Sequence, residues 1–306
     1  MLRYDDLQVF VHTSDSGSLS AAARQLEISP AVASAALKRL ESELEVRLFA
    51  RSTRSLRLTP EGDAFLLHAR ASLRSLEEGR RLLQGGKDQI AGVLQLSAPS
   101  DFGRNLLLPW LDEFQARYPQ LSLRLLLGDR VTDLYRQPVD VAIRYGAPAD
   151  SSLVALPLAP DNRRVLCAAP GYLAERGEPR QPGALREHNC LLYQLGGRVH
   201  DRWAFQRGRR SLTLTVAGDR VCDDADVVRR WALAGKGLVY KSWLDVAEDV
   251  RAGRLRLLLP EWQGEATPMN LLCTHRAQLT RPVTLLRAFV RERCDALLAE
   301  APWTRN

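Results

Sequence analysis

The chain has 306 residues, 45% hydrophobic and 26% charged, enough for about two domains of ordinary globular composition. Its formal charge is +7, yet residues 1–90 hold thirteen Lys+Arg against twelve Asp+Glu, so overall basicity argues little for a nucleic-acid partner and a local cluster would argue better. No apolar run approaches the roughly 18 residues of a membrane span. The opening MLRYDDLQVF lacks the basic-then-apolar order of a signal peptide, and the cysteines at 167, 190, 222, 273 and 294 make no disulfide framework. These features suit a reducing cytoplasm and free thiols.

Asp5 to Ser16 reads as a first helix, with Leu7, Phe10 and Val11 inward and His12 at the surface or core edge. Ser18 and Ser20 are hydroxyls able to cap the next helix, and Ala21 to Leu26 are good helix formers. Glu27 to Ser29 is a turn. Ser29 then supplies an N-cap oxygen, and Pro30 fits the first helical position, where its missing N–H costs nothing. Two short helices joined this tightly have helix-turn-helix geometry, whose second helix can enter a major groove. In that second helix Val32, Ala36, Leu37, Leu40 and Leu44 are expected inward. Ala31, Ser34, Ala35 and Lys38 fall on the outer face, small at its start and basic further on. An Ala-rich helical bundle would carry the same pattern, so these two helices alone do not decide.

The next segment shifts the weight. Val46 to Arg51 and Leu56 to Leu58 alternate apolar with basic, as strands with one buried face do, and residues 52–55 turn between them. Arg47, Arg51, Arg54 and Arg57 fall here, with no acidic residue until Glu61. Such a hairpin is a wing suited to phosphates or a minor groove. Thr59-Pro60-Glu61 opens a long helix whose stripe of Phe65, Leu66, Ala69, Leu73, Leu76 and Leu83 runs to Gln84, before Gly85-Gly86. A second copy of this helix is the natural cover for the stripe.

From Gly92 strands alternate with helices, which predicts an α/β domain with mainly parallel sheets. Strands are expected at 93–97, 121–127, 140–144, 165–169, 191–193, 212–216, 238–240 and 270–274. Helices are expected at 104–118, 224–234, 244–251 and 282–299. No phosphate-binding glycine loop, G-x-S-x-G elbow or metal-ligand spacing among His188, His200 and His275 is present, so neither catalysis nor a cofactor is expected.

The run GSLSAAARQL, then SPAVASAALKRLE, then ELEVRLFARSTRSLRLTPEG resembles the amino-terminal domain of the LysR-type transcriptional regulators, without gaps through residues 5–65. GVLQLSAPSDFG, YPQLSLRLLLGD, VDVAIRYGAP, AAPGYLAERGEP, WALAGKGLVYKS and AGRLRLLLP follow in the order of that family's effector domain, with looser motifs. The resemblance implies a winged helix-turn-helix over 1–59, a dimerising linker helix over 60–86, and a domain over 91–306 built like a periplasmic solute-binding protein. Its first lobe would take 91–161 and 270–306, its second 162–269, with two crossing strands as hinge. The implied function is regulated binding to operator DNA by a cytoplasmic homodimer or homotetramer, with RNA polymerase admitted as a further partner. One position departs: Ala35 follows Ser34 where many members carry Arg or Lys, so no operator preference carries over.

The DNA-binding candidates are Ser18, Ser20, Ser29, Pro30, Ala31, Ser34, Ala35, Lys38, Arg39, Arg51, Thr53, Arg54 and Arg57. Effector candidates sit where ligands sit in open α/β sheets, beyond strand ends and near helix N-termini. Ser100, Asp101 and Phe102 follow the first strand, where the loop either holds an anion or simply caps a helix. Gly128 and Asp129 follow the second. Arg144 ends the third, to bind a carboxylate or to pair with Asp140 or Asp129. Trp203, Asp224, Tyr240 and Lys241 are the candidates from the second lobe, with Trp203 equally suited to a core. Cys222 stands at a loop that borders the effector in the family, and reads as a buried thiol. The competing reading is a solute-binding or enzymatic α/β domain with an incidental helical amino terminus.

Overall fold

The computed structural model describes residues 1–51, 56–84, 90–129, 139–146, 153–195 and 197–304. It divides into two compact units, Met1–Gln89 and Ile90–Asn306.

The first unit opens with α1 (Tyr4–Ser16), α2 (Leu19–Gln25) and α3 (Pro30–Leu44). Gly17, at φ 63°, closes α1 in the left-handed region that favours glycine. The Ser18 Oγ accepts the Ala21 N–H and the Ser29 Oγ accepts the Val32 N–H, so both predicted caps form. Leu7, Phe10, Leu37 and Leu40 pack with Leu48, Phe49, Leu66 and Ala69 as one core. Val9, Ala23, Ala33 and Ala36 form a second, built of small side chains that let the helices approach closely.

Two expectations are corrected here. Val32 is 51% exposed, and Ala33 is buried in its place. Ala33 completes the i, i+3, i+4, i+7 set with Ala36, Leu37 and Leu40, a register that leaves Val32 on the outer face. Val11 is half-buried and packs against the Leu7 and Phe10 core, as expected. The first wing strand is also shorter than its alternation suggests. β1 spans Phe49–Arg51 and pairs antiparallel with β2 (Leu56–Leu58), Ala50 lying opposite Arg57. Residues 46–48 are not strand, and Leu48 and Phe49 are buried side by side. The cause is Glu41. Its buried carboxylate accepts the N–H groups of Leu48 (2.9 Å) and Phe49 (3.3 Å), which takes those amides out of any ladder.

Thr59 then closes the wing onto α4 (Pro60–Gln84): its hydroxyl donates to the Arg47 carbonyl at 2.6 Å and accepts the Gly62 N–H at 2.9 Å. A side chain at Gly62 would overlap the Leu48 carbonyl oxygen, so only glycine lets the helix start so near the wing. Leu76, lower on the helix, is 57% exposed.

The second unit holds two mixed sheets. β3 (Gly92–Ala98) runs parallel to β4 (Leu121–Leu127) and to β5 (Val141–Tyr145). A helical run follows β3: α5 (Ser100–Phe102), a π turn (Gly103–Leu107) and α6 (Leu108–Arg117). A side chain at Gly103 would meet the Leu127 δ-methyl, which would have to move aside. The chain leaves this sheet through β6 (Val154–Ala159) and enters the second through β7 (Arg164–Ala168).

There follow α7 (Pro170–Arg176), β8 (Cys190–Leu195), β9 (Arg198–Val199), β10 (Arg202–Arg207), β11 (Arg210–Thr215), β12 (Val221–Cys222) and α8 (Ala225–Leu233). β13 (Leu238–Ser242), α9 (Trp243–Arg251), β14 (Arg256–Leu258) and β15 (Gln263–Gly264) complete that half, and β16 (Met269–Cys273) returns to the first sheet before α10 (Arg281–Leu298). The sheet orders are β4-β3-β5-β16-β6 and β12-β8-β13-β7-β14, with β11-β10-β15 as a small antiparallel third.

The sheets are therefore not mainly parallel. β16 is antiparallel to both neighbours, as is β7 to β13 and β14. The outgoing and returning segments run side by side in opposite directions, Arg163 bridging to Ala266 and Thr267 N–H donating to the Asn162 carbonyl, and this imposes the reversal. One apolar core runs under both large sheets, from Leu94 and Phe114 to Cys167 and Val239.

Removing the Glu41 carboxylate strands two buried amides. Glu41→Ala should destabilise the first unit by about 1–3 kcal/mol in chemical denaturation of the full chain, and Glu41→Gln by less. A loss under about 0.5 kcal/mol, the level of an ordinary surface substitution, would show that water replaces the carboxylate.

Candidate nucleic-acid interface and ligand cleft

The outer face of α3 presents Ala31, Val32, Ala35 and Lys38 to solvent, with Pro30 exposed at its start and Ser34 half-buried. Apolar methyls and one ammonium make a surface that a base-pair edge can approach closely. Ser18 and Ser29 spend a hydroxyl lone pair on helix caps, whereas Ser20 is exposed. Arg39 is already engaged: its Nε and Nη2 donate to the buried Asp6 at 3.2 and 2.6 Å, joining α3 to α1 and, through the hydrogen bond to Asp6, raising its pKa. Arg57 is exposed on β2. Arg51 lies on β1, and Thr53 and Arg54 fall outside the described residues.

In the second unit the expected loops do converge. The Ser100 N–H donates to Asp129 at 2.9 Å, its hydroxyl donates to the other Asp129 oxygen, and that oxygen also accepts the Ala225 N–H at 2.7 Å. Ser100 heads the run after β3 and Ala225 heads α8, so one carboxylate joins elements of both halves. Gly128 donates its N–H to the Ala98 carbonyl. Arg144 donates Nη2 to the Ser97 hydroxyl at 2.7 Å and Nη1 to the Ile143 carbonyl at 2.7 Å. Burial lowers its pKa, against the opposing charge of Asp129.

Next to these contacts lies a largely buried ionic cluster. The Lys241 ammonium, 1% exposed, contacts the Asp101 carboxylate, lies 3.3 Å from Asp245, and donates to the Ala225 carbonyl. Tyr145 donates its hydroxyl to Asp245 at 2.5 Å. Asn105 bridges Asp101 (2.8 Å) and Asp226 (2.9 Å), and Arg104 donates to Asp224 at 2.8 Å. Asp224 also caps α8 by accepting the Asp226 and Val227 N–H groups. Against the upward push of burial, Arg104 and the Val227 N–H hold its carboxyl below the ordinary value. Asp101 goes the other way: burial, only partly offset by Lys241, pushes it up to about 7.

Several candidates are thereby reassigned. Trp203 is core, buried against Tyr240 at 5.2 Å between ring centroids, with its Nε1–H on the His200 carbonyl. Tyr240 is core as well, its hydroxyl donating to the Ala204 carbonyl and accepting the Glu265 N–H. Phe102 is fully buried edge-on to Trp110. Lys241 and Asp101 form a buried ion pair. The Cys222 sulfur is half-buried and accepts the Asp224 N–H. Sequence reasoning missed Arg104, Asn105, Tyr145 and Asp245. The i, i+4 spacings of Asp101 with Asn105 and of Lys241 with Asp245 were signals available for two of them.

Residues 4–63 match the family described as "Bacterial regulatory helix-turn-helix protein, lysR family", and residues 87–295 match "LysR substrate binding domain". The chain is 32% identical over 283 residues to the HTH-type transcriptional activator TtdR of Escherichia coli, covering 92% of this chain and 89% of that protein. It is 32% identical over 291 residues to the E. coli activator AaeR, covering 94% and 92%. Among solved structures it is similar to CrgA, a LysR-type transcriptional regulator from Neisseria meningitidis, at 31% identity and TM-score 0.59 over 94% of this chain and 98% of that one. A full-length OxyR variant from Pseudomonas aeruginosa shares the fold at 17% identity and TM-score 0.67, over 96% and 95%.

The raised Asp101 sets a pH dependence. Its unfolded value is 3.8 and its folded value about 7, so the folded chain retains a proton that the unfolded chain has released. Its contribution to stability is complete below pH 4 and lost as pH rises through about 7. Thermal unfolding from pH 4 to 8 should show a downward component in the wild type that Asp101→Asn removes; parallel profiles would exclude Asp101 as its source.

Proposed function

The chain belongs to the LysR-type family of transcriptional regulators, and from that premise we propose which of its residues read DNA and how its effector domain acts. It is a DNA-binding regulator with an effector-binding domain, not an enzyme. Regulators of this family bind DNA and small-molecule effectors and form oligomers.

The observation that carries the finer reading is the outer face of α3. Four side chains there, Ala31, Val32, Ala35 and Lys38, are exposed and none is needed by either core of the first unit. They face the bases, with Ser34 at the edge of the contact. Methyl groups suit the thymine methyl, and Lys38 suits a guanine or a phosphate. Arg51, Thr53, Arg54 and Arg57 of the wing take the backbone, and Ser18, Ser20, Ser29 and Pro30 flank it. Arg39 joins them through whatever donors Asp6 leaves free. The domains are 1–59 for DNA, 60–86 for pairing of subunits, and 91–306 for the effector, in lobes of 91–161 with 270–306 and of 162–269. The α4 stripe, with Leu76 outside its own core, supports a dimer or tetramer. The cytoplasm is the compartment, and RNA polymerase a further partner at the promoter. A small molecule at Ser100, Gly128, Arg144 and Asp224 changes how the lobes close.

Arg57→Ala should weaken binding to every duplex alike and flatten the salt slope by about one unit. An unchanged slope removes Arg57 from the phosphate set. Ser34→Leu should cost a promoter-containing duplex more affinity than random DNA. Equal losses on both would place Ser34 outside the groove.

A further inference from the structure

We propose that Asp129 is a built-in competitor of the effector, its carboxylate occupying the seat that an incoming small carboxylate takes. The inference rests on the reading that this cleft binds a small molecule, and it names the chemical class. The seat consists of three donors: the Ser100 N–H, the Ser100 hydroxyl and the Ala225 N–H. All three reach the two oxygens of one carboxylate, the Ala225 N–H being shared with the Ser100 Oγ at 3.1 Å. Two amides and a hydroxyl form a neutral donor set matched to a single anionic group, and two helical runs direct their starts at it. Lys241, a buried cation that donates to the Ala225 carbonyl, is engaged by Asp101 and Asp245.

Asp129 itself is poorly suited to be a permanent structural acid. It stands just past the end of β4 and is only half-buried, where Asp101 and Asp226 are buried. Rotation about its first side-chain torsion would leave the three donors in place for another carboxylate. Arg104, which pairs with Asp224, and Arg144 both feel the charge of Asp129. The consequence is a self-liganded state. Ser100, from the first sheet, and Ala225, from the second, are bridged before any effector arrives. An effector must then outcompete a tethered group whose effective concentration is of order millimolar or higher. Its apparent affinity falls by the fraction of molecules in which the seat is vacant.

Chemical rescue of the full chain tests this, with sodium formate and sodium acetate as probes and sodium chloride at equal ionic strength as control. Asp129→Ala should melt below the wild type and be restored, saturably, by formate or acetate, with an apparent affinity about tenfold or more tighter than the wild type shows. Asp129→Asn keeps the size without the charge, and should show the same preference for carboxylate over chloride if the alanine variant folds poorly. Adding Ser100→Ala to either variant should abolish the rescue. Equal responses of wild type and variants, or a response no larger than that to chloride, overturns the proposal. If carboxylates fail to rescue the variants while another small molecule stabilises the wild type, this proposal alone falls; if no small molecule stabilises either, the cleft reading itself falls.

Discussion

One ammonium in a dry place constrains the effector domain. Lys241 is buried at the end of β13, where moving a charge out of water costs several kcal/mol unless partners surround it. Those partners come from both sheets: Asp101 from the run after β3, Asp245 from α9, and the Ala225 carbonyl from the head of α8. Arg229 adds a second cation near Asp101, Asp226 and Asp249, and Tyr145 reaches in from β5 to Asp245. Four buried carboxylates thus share two interior cations, with Arg104, Arg230 and Arg254 at the rim. Burial, only partly offset by Lys241, is what raises the Asp101 carboxyl. Such a cluster contributes little net stability compared with apolar packing, but it penalises any arrangement of the two halves that separates its members.

The first unit uses the same device on a smaller scale. Asp6 and Glu41 are its buried acids, each compensated by an arginine and, for Glu41, by two amides. Each sets a distance: Asp6 fixes α3 against α1, and Glu41 fixes the start of the wing against α3. Thr59 and Gly62 set the third, between wing and α4. The apolar cores supply the driving force, and these polar contacts supply the register.

Local chemistry was read well from the sequence wherever it acts over a few residues. The caps at Ser18, Ser29 and Thr59, the turn at Glu27, and the inward Leu7 and Phe10 of α1 all follow from spacing and propensity. Long-range pairings were not legible. Nothing near Leu48 indicates that a glutamate seven residues earlier will claim its amide, and so the first strand was drawn too long. Val32 was misplaced because two overlapping helical sets share Ala36, and only the tertiary partner on α1 chooses between them. At the cleft, strand ends and helix starts pointed to Ser100, Asp129 and Arg144. Trp203 belongs to the third sheet and Tyr240 to the middle of β13, and the two pack together in one apolar core. The crossing segments hid the antiparallel strands, since direction is a property of topology and not of composition.

The outer face of α3 has a consequence for how this regulator changes over generations. Its Ala31, Val32, Ala35 and Lys38 are neither members of the first unit's cores nor caps of its helices. Exchange at such positions costs a folded helix a few tenths of a kcal/mol, far less than a cavity or a stranded amide. The chemistry this face presents can therefore drift while the scaffold that carries it stays fixed. A duplicated copy could acquire a new set of target promoters without first acquiring a more stable body.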